Sequence, residues 1–158
     1  MITMLLYILH VLSSLKSKEN KELEIHARGN PYARFAITNK GLRLVNSDTK
    51  QNVLLIPNGK NEYSIAVDEK IICHLVDNTI DQCKNGYNKG KSFVIKKLPF
   101  RGYLIKSKIK NEKIKCLKHT DLSDKITLTN CNDYDESLRW DIKEDGEVIV
   151  NGYELNKK

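Results

Sequence analysis

Cys116-Leu117, then Ile126-Thr127-Leu128-Thr129-Asn130-Cys131-Asn132, then Leu138-Arg139-Trp140-Asp141-Ile142 and the pair Asp145-Gly146 follow one another near the C-terminal end of the chain. Apolar and polar residues alternate through Ile126–Asn130, the period of a half-buried strand, and each apolar run is too short for an amphipathic helix. The stretch reads as three short strands ending at an Asp-Gly turn. A cysteine stands at each end of one hairpin, and the single tryptophan, Trp140, lies nine residues past Cys131.

This order of cysteine, alternating strand, Cys-Asn pair, polar loop and aromatic strand resembles one subdomain of the ricin-type (R-type) β-trefoil lectins. The resemblance implies an all-β fold, a β-trefoil of about twelve short strands in three pseudo-repeats, and therefore two further copies upstream.

From Ile25 onward no segment keeps helical periodicity for more than a turn or two. Short β-rich runs take its place: 34–38, 41–45, 53–56, 63–67, 70–76, 93–98, 102–106, 113–118, 125–130, 138–142 and 147–150. Asn39-Lys40-Gly41, Pro57-Asn58-Gly59, Asn85-Gly86, Asp145-Gly146 and Asn151-Gly152 punctuate them as turns. That pattern predicts an all-β barrel or sandwich.

Two repeat registers compete. One matches Glu69-Lys70-Ile71-Ile72-Cys73 to Glu112-Lys113-Ile114-Lys115-Cys116, identical at four of five positions. It leaves little room before Cys73 for the extra strand that a trefoil repeat needs. The other aligns Leu42, Cys83 and Cys116 as hairpin entries, Leu54, Val94 and Leu128 as returning strands, and Ile65, Ile105 and Trp140 as closing strands. Its near-equal spacings favour it, and it predicts a trefoil domain over 25–153 with subdomains 25–68, 69–107 and 108–153.

The 158 residues are 40% hydrophobic, enough for one core without metals. Residues 2–15 are the one long apolar run, too short for a membrane span of about 20 residues. With Ser13, Ser14 and Ser17 following, they fit a secretory signal over 1–17. A first core element or an uncleaved anchor are the alternatives. Four cysteines in a small domain favour export. The expected location is extracellular, with no stable membrane span after cleavage.

Four cysteines allow three pairings. Cys116 and Cys131 occupy the positions that R-type lectins bridge, which leaves Cys73 with Cys83. The same resemblance implies a galactose-type pocket in each subdomain, built from an Asp, a stacking aromatic and an Asn before a Gln-x-Trp triplet. The Asp position holds Arg43, Asn85 and Lys118, and the Asn position holds Glu62, Gly102 and Ser137. The pockets are therefore eroded, with Trp140 a core residue. The middle subdomain is the least altered, so Asn85, Tyr87 and Phe93 are the candidate sugar contacts.

The formal net charge is +7. Lys106, Lys108 and Lys110 alternate along one strand, which places them on one face. That face is either ordinary wet surface or a patch for an anionic polysaccharide or another anionic partner. Nucleic acid is not expected, because no aromatic is interleaved for base stacking. No phosphate loop, metal-ligand spacing or paired-carboxylate motif is present, so no metal, cofactor or enzymatic activity is expected.

Two functions follow. The first is a secreted ricin B-like trefoil that binds a glycan or glycoprotein surface; small, Lys/Asn-rich and signal-bearing, the chain looks like the ricin B-like secreted proteins of microsporidian parasites. The second is a protein-binding trefoil, an effector, coat component or inhibitor, in which sugar binding has been lost.

Overall fold

The computed structural model describes residues 21–47, 53–99, 102–144 and 147–148. The proposed signal segment, the turns at Asp145-Gly146 and Asn151-Gly152, and residues 149–153 of the third subdomain lie outside them. Among the described residues the chain forms fourteen strands and one single-turn 3-10 helix, Glu136–Leu138.

The strands fall into three repeats. The first holds β1 (Lys21–Ala27), β2 (Ala33–Thr38), β3 (Gly41–Asn46) and β4 (Val53–Gly59). The second holds β5 (Glu62–Val67), β6 (Lys70–Leu75), β7 (Ile80–Gln82), β8 (Asn88–Gly90) and β9 (Phe93–Lys97). The third holds β10 (Tyr103–Ser107), β11 (Lys115–Thr120), β12 (Ser123–Asn130) and β13 (Trp140–Glu144), followed by β14 (Glu147–Val148) on the edge of β13.

Antiparallel pairing closes β1, β4, β5, β9, β10 and β13 into a six-stranded ring, with β13 returning to β1. Closure leaves no open edge in the ring. The remaining strands form three cap hairpins, β2–β3, β6 with β7 and β8, and β11–β12. A barrel of six strands with three hairpins is a β-trefoil.

The core follows from strand alternation. Leu23, Tyr63 and Tyr103 recur at one level of the barrel, and Ile25, Ile65 and Ile105 at the next. Ile142, Leu55 and Ile95 stand opposite those three isoleucines in the register. At the third level Trp140, Val53 and Phe93 face Ala27, Val67 and Ser107. Large buried side chains from the main strands of each cap close the barrel: Phe35 and Leu42, Ile72 and Ile80, Leu117 and Ile126. Each such side chain contributes about 1.5–3 kcal/mol on burial.

Trp140 is fully buried and ties barrel to cap. Its indole N–H donates to the Leu117 carbonyl at 3.2 Å, and its ring meets the edges of Phe35 and His119 at centroid distances of 5.1 and 4.8 Å. A buried indole needs such a partner for its N–H.

Two disulfides staple the caps, Cys73–Cys83 and Cys116–Cys131, with Cα separations of 4.9 and 5.1 Å. Each ties the first strand of a cap hairpin to the residue just past the second. Cys116–Cys131 also covers Leu104, whose neighbours Tyr103 and Ile105 point into the barrel. Leu98 and Leu138 complete that small outer cluster.

Three expectations change. The repeats run 21–59, 62–97 and 103–144, one strand out of phase with the expected 25–68, 69–107 and 108–153. The alignment of Leu54 with Val94 and of Ile65 with Ile105 holds in the register, but Trp140 belongs with Val53 and Phe93 rather than with Ile65 and Ile105. The pentapeptide match, set aside on spacing, pairs β6 with β11, the same strand of successive repeats. A trefoil places a strand every ten or so residues, so a slip of one strand preserves the spacings.

Candidate functional site

The seam where the third repeat closes on the first holds a cleft of about 720 Å3. One wall is the turn after β1, with Arg28, Gly29 and Asn30, backed by Leu44 and Asn46 of β3. The other is the tip of the β11–β12 hairpin, with Lys118, His119, Thr120, Asp121, Ser123 and Asp124, and Glu136 and Ser137 of the 3-10 turn line it as well.

Most of these side chains are held in place. His119 Nε2 bonds the Arg139 carbonyl at 2.8 Å, and its ring stands edge-on to Trp140. Arg28 donates to Asp141 at 3.2 Å and lies 3.9 Å from Glu136. Glu136 also faces Arg139 at 3.4 Å, and Asp124 faces Arg43 at 3.5 Å. Asp135 caps the 3-10 turn, accepting from the Ser137 N–H at 3.0 Å and from the Ser137 hydroxyl at 2.6 Å. The Ser137 hydroxyl bond holds the Asp135 carboxyl below its ordinary value of 3.8. The cleft thus presents carboxylates, hydroxyls, amides and cations together. Leu122, between Asp121 and Ser123 in the chain, is 96% exposed, and Tyr32, just before Ala33, is 59% exposed.

Gly102 explains part of this frame. At φ +83° it occupies a backbone region favourable to glycine, and a Cβ there would stand 3.2 Å from the Arg28 side chain and 3.3 Å from the Trp140 carbonyl.

The residues expected from the sequence are distributed differently. Lys118 and Ser137, the third-repeat positions singled out by the lectin resemblance, do line one cleft together. Asn85 lies in an exposed turn, and Tyr87 beside it is 61% exposed. The Tyr87 carbonyl accepts from the Val76 N–H at 2.9 Å. Phe93 is fully buried in the barrel, so it has no face for a ligand; its place as a stacking residue is withdrawn. Arg43 and Glu62 are engaged in ion pairs with Asp124 and Lys108.

The lysine face is also redrawn. β10 ends at Ser107, so the alternation stops there. Lys106 is half-buried on the strand near Lys96 and Asp133, and burial, with Lys96 adding to it, lowers its pKa. Lys108 and Lys110 belong to the following loop, where Lys108 bonds Glu62.

Sequence reasoning missed Arg28, His119, Asp121, Asp124 and Glu136. They form no linear motif, and what brings residue 28 beside residue 119 is closure of the barrel between β1 and β13. No group of three or more His, Cys, Asp or Glu among the described residues is placed to hold a metal ion. No helix among them is long and apolar enough to cross a membrane.

Neither a family model nor a curated protein sequence matches the chain. Solved structures do. A designed threefold-symmetric protein, ThreeFoil, superposes with a TM-score of 0.60 at 11% identity, over 82% of this chain and 99% of its own. Cry35Ab1 superposes with a TM-score of 0.60 at 18% identity, over 82% of this chain and 37% of its own. At such identities the likeness is one of fold, and the trefoil assigned from the barrel pairing agrees with the threefold symmetry of ThreeFoil.

Proposed function

We propose that the protein is a non-enzymatic binding module of the ricin B-like type, secreted, that takes a carbohydrate in the cleft between its third and first repeats. The observation that carries this reading is the composition of the cleft. Asp121, Asp124, Glu136, Asn30, Asn46 and Ser137 offer acceptors and amide donors, Arg28 and Lys118 offer cations, and Ala27, Ala33 and Leu44 supply apolar surface. A saccharide is matched by that mixture: ring hydroxyls bond both donors and acceptors, and the C–H face packs on apolar side chains. Two disulfides support an oxidising compartment.

The second reading, a protein-binding trefoil, draws on Tyr134, 81% exposed in the loop before the 3-10 turn, and on Leu122. Such residues anchor protein partners as readily as sugars.

A glycan array probed with wild type and with an Asp121→Asn/Asp124→Asn variant separates the two. The carbohydrate reading expects a defined set of bound glycans that the variant loses. An array without binding, alongside a protein partner captured through Leu122 and Tyr134, favours the second reading.

A further inference from the structure

We propose that the surface where the second repeat meets the third is a separate binding site for a linear sulfated polysaccharide. Two seams share one backbone frame. Arg28, three residues past Ile25, donates its backbone N–H to the Arg139 carbonyl at 3.1 Å; Lys108, three residues past Ile105, donates to the Ser92 carbonyl at 3.0 Å. Arg139 and Ser92 each precede the residue, Trp140 or Phe93, that fills the same barrel level. The side chains then diverge. Nothing lies within 4 Å of a Cβ built on Gly29, whereas one built on Gly90, facing the counterpart residue Ile109, would stand 2.6 Å from Ile109 Cδ1. One seam is left hollow. The other is filled by Ile109, which pins the loop that carries it.

Three segments adjoin on the filled seam: 58–62, 89–92 and 108–113. Asn58 donates to the Ser92 hydroxyl at 2.9 Å, Lys108 bonds Glu62, and Lys89 faces Glu112 at 3.4 Å. Together they hold six lysines, at 60, 89, 91, 108, 110 and 113, against two carboxylates, Glu62 and Glu112. The excess of four positive charges is more than half of the chain's formal +7. Lys60, Lys91, Lys110 and Lys113 are exposed.

The chemistry of the surface selects the partner. Every cation is a lysine, a point charge, with no arginine fork to grip a phosphate in two-point geometry. The segments contain no aromatic residue, so stacked bases gain nothing there. Exposed Asn61 and Asn111, both at positive φ, set amides between the lysines. Sulfates for the ammonium groups and hydroxyls for the amides describe a sulfated sugar chain better than a nucleic acid. This site shares no residue with the cleft and does not depend on it.

Titration calorimetry with heparin oligosaccharides tests the proposal. Binding is expected at about 0.1 M salt and expected to vanish near 1 M, where the Debye length falls from about 10 to about 3 Å. A Lys91→Ala/Lys110→Ala/Lys113→Ala variant should bind about tenfold more weakly or worse, with an unchanged circular dichroism spectrum, and Lys110→Glu alone should weaken binding in the same direction. A Lys40→Ala/Lys70→Ala/Lys125→Ala variant removes equal charge from exposed positions outside the three segments and should change affinity about twofold at most. Equal losses in the two triple variants, no heparin binding by wild type, or single-stranded DNA of matched charge competing as well as heparin would each overturn it.

Discussion

Asp81 shows how much one residue can carry in this fold. From β7, the returning strand of the second cap, it accepts the Leu42 N–H at 2.8 Å and the Gln82 N–H at 2.7 Å, joining the first two repeats. It lies so close to Gly41 that a Cβ there would stand 2.7 Å from its carboxylate oxygens. Asp81→Ala leaves the Leu42 N–H without its acceptor, and the expected cost is about 1–3 kcal/mol in urea denaturation. Gly41→Ala should also destabilise, since it meets that carboxylate and must adopt φ +97°. Asp135 gives a pH-dependent counterpart. Its pKa is depressed chiefly by the Ser137 hydroxyl bond. It therefore contributes stability above the unfolded value near 3.8, and the contribution is lost as pH falls through its lower folded value. Asp135→Ala should cost about 1 kcal/mol at pH 7 and much less below the folded value, as urea midpoints measured across the acid range would reveal.

The elements repeat a simple rule, two or three inward residues on each barrel strand and one large core side chain on each main cap strand, and much of it was legible in the sequence. Alternation in 126–130 and around Trp140 located the third cap and the last barrel strand. The lectin-type cysteine order led to both disulfides. The phase of the third repeat was not legible from spacing, because strands recur so regularly that a one-strand slip costs nothing in spacing. The lexical match at Cys73 and Cys116 carried that phase. β7 and β8, three residues each, are too short to show a period. Neither the burial of Phe93 nor the end of β10 at Ser107 is signalled by local pattern, since both depend on what packs opposite. The Cys116–Cys131 bridge closes a 15-residue separation and roofs Leu104. Cys116→Ser should cost about 2–4 kcal/mol, and peptide mapping without reductant should recover the 73–83 and 116–131 pairs and no 83–116 pair.

At the scale of the whole molecule, threefold geometry offers the same frame at successive seams, and the side chains give each a different use. Asp68, three residues past Ile65, accepts the Ile37 N–H at 3.0 Å at the first seam. Ile109 fills the second and raises a lysine surface over it, while Gly29 leaves the third open as a cleft. The cleft residues were hidden from sequence reasoning because they come from opposite ends of the chain, joined only where β1 meets β13. An amide-resolved NMR titration of the 15N-labelled protein with glycans bound on the array tests the proposed cleft most directly. The account expects shifts concentrated at 28–30, 118–124 and 136–137, abolished by Asp121→Asn/Asp124→Asn. Shifts centred on the exposed turn at 85–88, or no shift with any glycan, would contradict it.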